Sequence, residues 1–81
     1  MEEKQKQNQI NFGLRIQQLR KDKNWSQEEL ASRANSHRTY IGLIERAERE
    51  PGLNKIISLA NALEVTLQEL FNYEINQEPT K

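Results

Sequence analysis

The sequence predicts an all-α domain of five short helices. Three observations carry that prediction. Apolar residues recur at intervals of three and four, the signature of one-sided burial on a helix. Two boxes of the form S/T-x-x-E, at Ser26–Glu29 and Thr66–Glu69, each follow an apolar residue and open a helix. No stretch alternates apolar with polar residues, and no glycine-bearing hairpin turn joins two such stretches.

Residues 1–9 are polar and glutamine-rich without periodicity, which reads as a flexible arm preceding a folded domain over residues 10–73. Phe12, Ile16 and Leu19 then fall at i, i+4 and i+7 and define a first helix from about Asn11 to Lys23, with Asn24 tolerant of a left-handed C-terminal turn. Ser26 and Glu29 cap a second helix, Gln27 to Ala34, with Trp25 and Leu30 in the two positions of a hydrophobic staple. Asn35 and Ser36 break it, and the chain restarts near Arg38 after a tight turn.

On the third helix Ile41, Ile44 and Glu45 share one side; Thr39, Gly42, Leu43 and Arg46 share the other, flanked by Arg38 and Arg49. After a loop from Glu48 to Gly52, a fourth helix carries the stripe Leu53, Ile56, Ala60 and Leu63, with Ile57 and Leu59 as further apolar surface. Thr66 and Glu69, with Val65 and Leu70 as staple, open a short fifth helix to about Asn72. Residues 74–81 read as a polar C-terminal tail.

A chain of 81 residues supports one hydrophobic core and buries roughly 60 to 65% of its unfolded surface. It has no cysteine, so neither disulfides nor thiolate metal sites hold the fold, as expected in a reducing compartment. No apolar run approaches the ~20 residues of a membrane span, and the start MEEKQKQNQ lacks the apolar stretch of a signal peptide. The expectation is a soluble cytoplasmic protein with no membrane partner and no cofactor. Net charge is zero, but its distribution is not even: Leu14 to Arg49 holds eight Lys/Arg against five Asp/Glu, and Glu50 to Lys81 two against five.

Two short helices across a tight turn, the second presenting small, hydroxyl and basic residues outward, form a helix-turn-helix whose second helix suits the DNA major groove. Residues Gln27 to Glu45, QEELASRANSHRTYIGLIE, resemble the helix-turn-helix of phage lambda-type repressors and their bacterial relatives, the Xre family. The resemblance runs over about residues 12–72 and includes Gln27, Leu30, Ala31, Ile41, Glu45, Pro51, Leu59, Ala60, Leu63 and Leu70 at fixed spacing. Within the family, His37 to Arg46, HRTYIGLIER, looks most like the controller proteins of restriction-modification systems. The chain departs from the pattern at Asn24 and Asn35, where glycine is usual. It departs again at Gly52, in place of a Ser or Thr cap, and at Lys55, in place of the capping-box partner. The fold implied is a five-helix lambda-repressor-like domain.

The resemblance implies that Gln27, in the first turn of the second helix, contacts a DNA phosphate. Arg38 can present two parallel donors to guanine O6 and N7, or clamp a phosphate. Thr39 can bond a base edge or lay its methyl on thymine. Tyr40 lies between the inward and outward faces, as a structural ring or with its hydroxyl on a phosphate. Gly42 costs ~1 kcal/mol inside a helix, which fits close approach of backbone to DNA or simple tolerance. Leu43 suits a thymine methyl or plain exposure. Arg46 and Arg49 would follow the backbone. His37, the single histidine, reads as a helix-start residue near phosphate and, without a cluster around it, as no metal ligand. Arg20 and Glu45 match a semi-buried structural salt bridge of the family.

No cysteine, glycine-rich phosphate loop or histidine beside a nucleophile and an acid is present, so an enzyme is not expected. The resemblance implies a transcription regulator with double-stranded DNA and a second copy of itself as partners, and admits RNA polymerase as a third. A homodimer interface is expected at Ile57, Leu59, Leu67, Phe71, Tyr73 and Ile75, which exceed what one stripe per helix needs. Two other uses of the same fold stay open at this point, an antitoxin and a protein-interaction adaptor.

Overall fold

The computed structural model describes residues 3–73, and these form five helices: α1 (Glu3–Asp22), α2 (Gln27–Arg33), α3 (Arg38–Glu45), α4 (Leu53–Leu63) and α5 (Leu67–Leu70). Their core consists of Ile16, Leu30, Ile41, Ile44, Leu59, Leu63 and Leu70, all sealed from solvent, with Phe12, Ala31, Ala34 and Ala60 around them. α2 and α3 make the main pair, α1 crosses α3, and α4 closes the core from the side of α2. Among the described residues no helix is long and apolar enough to cross a membrane.

The helix ends explain where the chain turns. After α1, α2, α3 and α4 the same closure appears: the chain passes through a left-handed residue, Asn24, Asn35, Ala47 or Glu64, at φ of 54 to 62°. The next amide bonds back five residues, Trp25 to Arg20, Ser36 to Ala31, Glu48 to Leu43 and Val65 to Ala60, at 2.8 to 3.2 Å. This six-residue closure satisfies carbonyls that a helix end otherwise leaves open. The turn between α2 and α3 is therefore set by hydrogen bonds, and the two helices meet at a fixed angle.

Four expectations need correction. α1 begins at Glu3, so residues 3–9 of the expected arm are its first turns. Glu, Lys and Gln lose little rotamer freedom in a helix, so a segment can be helical without an apolar stripe. Lys6 Nζ and Gln9 Nε2 also reach the Ala47 carbonyl, at 2.6 and 3.0 Å, and tie those turns to the end of α3. The Ser26 box is half formed: Ser26 Oγ accepts from the Glu29 amide at 3.0 Å, but the Glu29 carboxylate turns to Arg33 at 2.7 Å. Thr66 and Glu69 make both bonds, and the Thr66 backbone and hydroxyl together hold the Glu69 carboxyl below its ordinary pKa.

Leu53, placed in the α4 stripe, is 69% exposed. It is the first residue of α4, projecting beyond the end of the core, and Leu59 fills the buried position instead. Leu59 in turn leaves the expected dimer surface, being fully buried, and Phe71 turns inward against Phe12 with ring centroids 5.6 Å apart. Arg15 fastens this corner, donating to the Leu70 and Glu69 carbonyls at 3.1 and 2.6 Å and so closing the C-terminal end of α5. Met1, Glu2, Ile75 and the expected tail, 74–81, lie outside the described residues.

Candidate nucleic-acid interface

α3 is positioned by a polar anchor as well as by the core. Arg20 on α1 and Glu45 at the end of α3 are each under a tenth exposed. They meet side-on, Nε to Oε2 at 2.7 Å and Nη2 to Oε1 at 3.0 Å. The third donor group of Arg20, Nη1, bonds the Trp25 carbonyl at 2.8 Å, and Gln27 Nε2 donates to Glu45 Oε1 at 2.9 Å. The network thus joins α1, the entry to α2 and the end of α3. A bidentate pair with its remaining groups satisfied is the geometry in which a buried charge is tolerable.

With Ile41, Ile44 and Glu45 directed inward, the opposite side of α3 faces solvent. Arg38, Thr39 and Arg46 are exposed and Leu43 is half-exposed. His37 stands at the N-cap of α3 with no side-chain cap bond. Gln27, Arg38, Thr39, Gly42 and Arg46 line a depression of about 190 Å³, and a wider one of about 520 Å³ adjoins it along Ser26, Gln27, Glu28, Arg20 and Arg38. The outward face of α3 and the first turn of α2 therefore form one continuous surface.

One residue differs from expectation. Gly42 is buried, because the Arg46 guanidinium and the Gln27 amide lie over it. A Cβ at that position would come within 2.9 Å of Arg46 Nη1 and 3.6 Å of Gln27 Oε1. Gln27 gives one amide hydrogen to Glu45, which leaves its second N–H for the expected phosphate, and its oxygen faces this depression. Arg46 itself pairs with Glu48 at 3.2 Å on the exposed surface, a contact that solvent weakens.

On the other flank of α3 the half-buried Tyr40 ring has two cations near it. Arg49 Cζ is 6.0 Å from its centroid and Lys55 Nζ 5.2 Å. Lys55 also bonds the Ser36 hydroxyl in the α2–α3 turn. Neither Ser36 nor Lys55 was among the expected site residues. The one sequence signal was that Lys55 replaces a capping partner at the start of α4.

These features define a class: a helix-turn-helix domain whose second helix presents a polar, arginine-bearing face on a braced support. The family model described as Helix-turn-helix matches residues 16–70. The control protein C.BamHI of Bacillus amyloliquefaciens is 41% identical over 63 residues, 76% of this chain and 78% of that protein. The control protein C.MunI of a Mycoplasma species is 38% identical over 64 residues, 78% of this chain and 86% of that one. The crystal structure of the restriction-modification controller protein C.AhdI from Aeromonas hydrophila superposes with a TM-score of 0.78 at 39% identity, covering 82% of this chain and 96% of that one.

The chain belongs to the Xre-type helix-turn-helix family of DNA-binding transcription regulators, which are not enzymes. Within that family it is similar to the controller proteins of restriction-modification systems.

Proposed function

We propose that this chain is a cytoplasmic, sequence-specific regulator of the controller type, binding a pseudo-palindromic operator as a homodimer and acting at a promoter with RNA polymerase as the target of regulation. The observation that carries it is the braced α3. Arg38 and Thr39 stand exposed at the start of the helix, while the Arg20–Glu45–Gln27 network fixes its far end. Arg38 has the bidentate geometry for guanine, and Thr39 and Leu43 offer a hydroxyl and apolar surface for other base edges. His37, Arg46 and Arg49 supply contacts to the backbone, with Arg46 exchanging Glu48 for a phosphate.

Arg38→Ala should lower affinity for the preferred site and relax the preference at one guanine, costing about 1 to 3 kcal/mol there. Selection of bound duplexes from a random pool, followed by titration of single-base variants, measures it. An equal loss on every sequence would make Arg38 a backbone contact.

The dimer reading is supported by Leu53, Ile57 and Leu67, which leave α4 and α5 with large side chains 69, 37 and 42% exposed. Tyr73 lies half-buried beside Phe71 and extends the expected surface. A two-fold pair through α4 and α5 would set two recognition helices about 34 Å apart, one turn of B-DNA. Sedimentation at micromolar concentration should show a dimer, and footprints should weaken sharply when about five base pairs are inserted between half-sites. A monomer that tolerates the insertion would refute the pairing.

A further inference from the structure

The first turns of α1 precede the stretch matched by the family model, which starts at residue 16, yet they bond directly to the end of the helix-turn-helix. The contact is made at the Ala47 carbonyl, just beyond α3, where Lys6 Nζ and Gln9 Nε2 both donate, at 2.6 and 3.0 Å. The sequence explains why this carbonyl is open to side chains. Its helical partner four residues on would be Pro51, which has no N–H, and among the described residues no backbone amide bonds it. Ala47 is buried and stands at φ 61°, a conformation that its Cβ disfavours and that its surroundings must therefore hold in place. Lys6 supplies a charge-assisted bond for that purpose, and Gln9 a second, neutral one.

These bonds continue a line that runs along α1. Lys6, Gln9, Gly13 and Arg20 share one face of the helix, and that face follows the end of α3. Arg20 holds the Glu45 carboxylate, Gly13 lies against the Ile44 and Glu45 carbonyls, and Lys6 and Gln9 take Ala47. We propose that Lys6 and Gln9 are positioning residues for DNA recognition: by clamping the Ala47 carbonyl they fix the exit of α3, so that the helix meets the duplex already oriented. The inference rests on the DNA-binding reading above, and neither side chain touches DNA in this role. Arg46, the C-cap of α3, immediately precedes Ala47, so any freedom at Ala47 passes to the guanidinium that lies over Gly42. Holding that segment before the encounter removes an ordering cost that binding would otherwise carry. Because residues 3–9 lie outside the stretch matched by the family model, the clamp is a feature of this chain's own N-terminal turns.

The test uses Lys6→Met, Gln9→Met and Lys6→Arg in the full chain, with affinity for the selected site and for a random-sequence duplex measured against salt, at a temperature where circular dichroism shows every variant folded. Each methionine variant should bind both duplexes about threefold more weakly, the scale of one lost hydrogen bond, and Lys6→Arg should keep wild-type affinity. The dependence of log affinity on log salt should not change. A slope flattened by about 0.9 in Lys6→Met would make Lys6 a direct phosphate contact and overturn the positioning role. Wild-type affinity in both methionine variants, on DNA that Arg46→Ala binds weakly, would reduce the clamp to a matter of stability and overturn the proposal while leaving the DNA-binding reading intact. Should the methionine variants fold poorly, hydrogen exchange on the wild-type chain decides. The Ala47 and Glu48 amides should be equally protected with and without DNA, and protection that appears only on binding would show that the exit of α3 is not held beforehand. A wild-type chain that binds no duplex would instead end the DNA-binding reading, and this role with it.

Discussion

Gly13→Ala should lower the melting temperature by about 10 °C, although alanine is the better helix former by about 1 kcal/mol. The reason is the crossing of α1 over α3. A Cβ on Gly13 would lie 2.5 Å from the Ile44 carbonyl oxygen and 2.8 Å from that of Glu45, both backbone atoms. A flexible side chain can swing aside, but these carbonyls move only if the end of α3 moves. Overpacking of this kind costs about 1 to 3 kcal/mol, more where the neighbour is rigid, so the clash outweighs the propensity gain by about 2 kcal/mol. Because α3 carries the exposed Arg38 and Thr39, DNA affinity should fall along with stability. Gly52→Ser is the contrasting substitution. Gly52 caps α4 at φ −80° with open space around it, and serine there should gain a few tenths of a kcal/mol. Thermal melts of both variants check the pair; a Gly13→Ala protein as stable as wild type would show that α1 and α3 can separate at no cost.

How far the fold could be read from the sequence depended on whether each feature leaves a mark in residue type. Asn24 and Asn35 announced left-handed turns because asparagine tolerates them, and both adopt positive φ. Ala47 and Glu64 do the same work with residue types that give no sign of it. Glu64 gains a compensating contact with Lys23 at 3.3 Å, visible only once the chain is folded. The first turns of α1 were missed because periodicity reports burial, and residues 3–7 are exposed along a helix tied down at Ala47. Gly13 was unremarkable in sequence, since the close approach that requires it comes from residues about thirty positions away.

The candidate site was legible in its outward face and less so in its wiring. The 100° wheel separates Thr39, Leu43 and Arg46 from Ile41 and Ile44, as the structure does. It could not show Gln27 bonded to Glu45, or Gly42 lying beneath Arg46, because both depend on how α2 meets α3. Lys55 and Ser36 are nineteen residues apart and meet only through that same packing.

The Arg20–Glu45 pair should carry the largest effect of any side chain near the face. Removing one partner by Arg20→Ala or Glu45→Ala leaves the other charge buried without its bidentate bond, a loss of about 3 to 5 kcal/mol. For a domain whose whole stability is about 5 to 15 kcal/mol, that brings the chain close to unfolding. Replacing both, as Arg20→Met with Glu45→Leu, removes the two charges together and fills the space with apolar volume, so it should cost far less than the sum of the single losses. The recovery will be incomplete, because the Trp25 carbonyl and the Gln27 amide lose partners that the apolar pair cannot replace. The double variant should consequently be folded yet weaker on every duplex, as Gln27 is no longer held beside α3. Urea unfolding of the wild type, both single variants and the double variant gives the coupling directly. Losses that simply add would mean the two side chains contribute independently, and the anchor would then have to be sought in the apolar contacts of Ile41 and Ile44 alone.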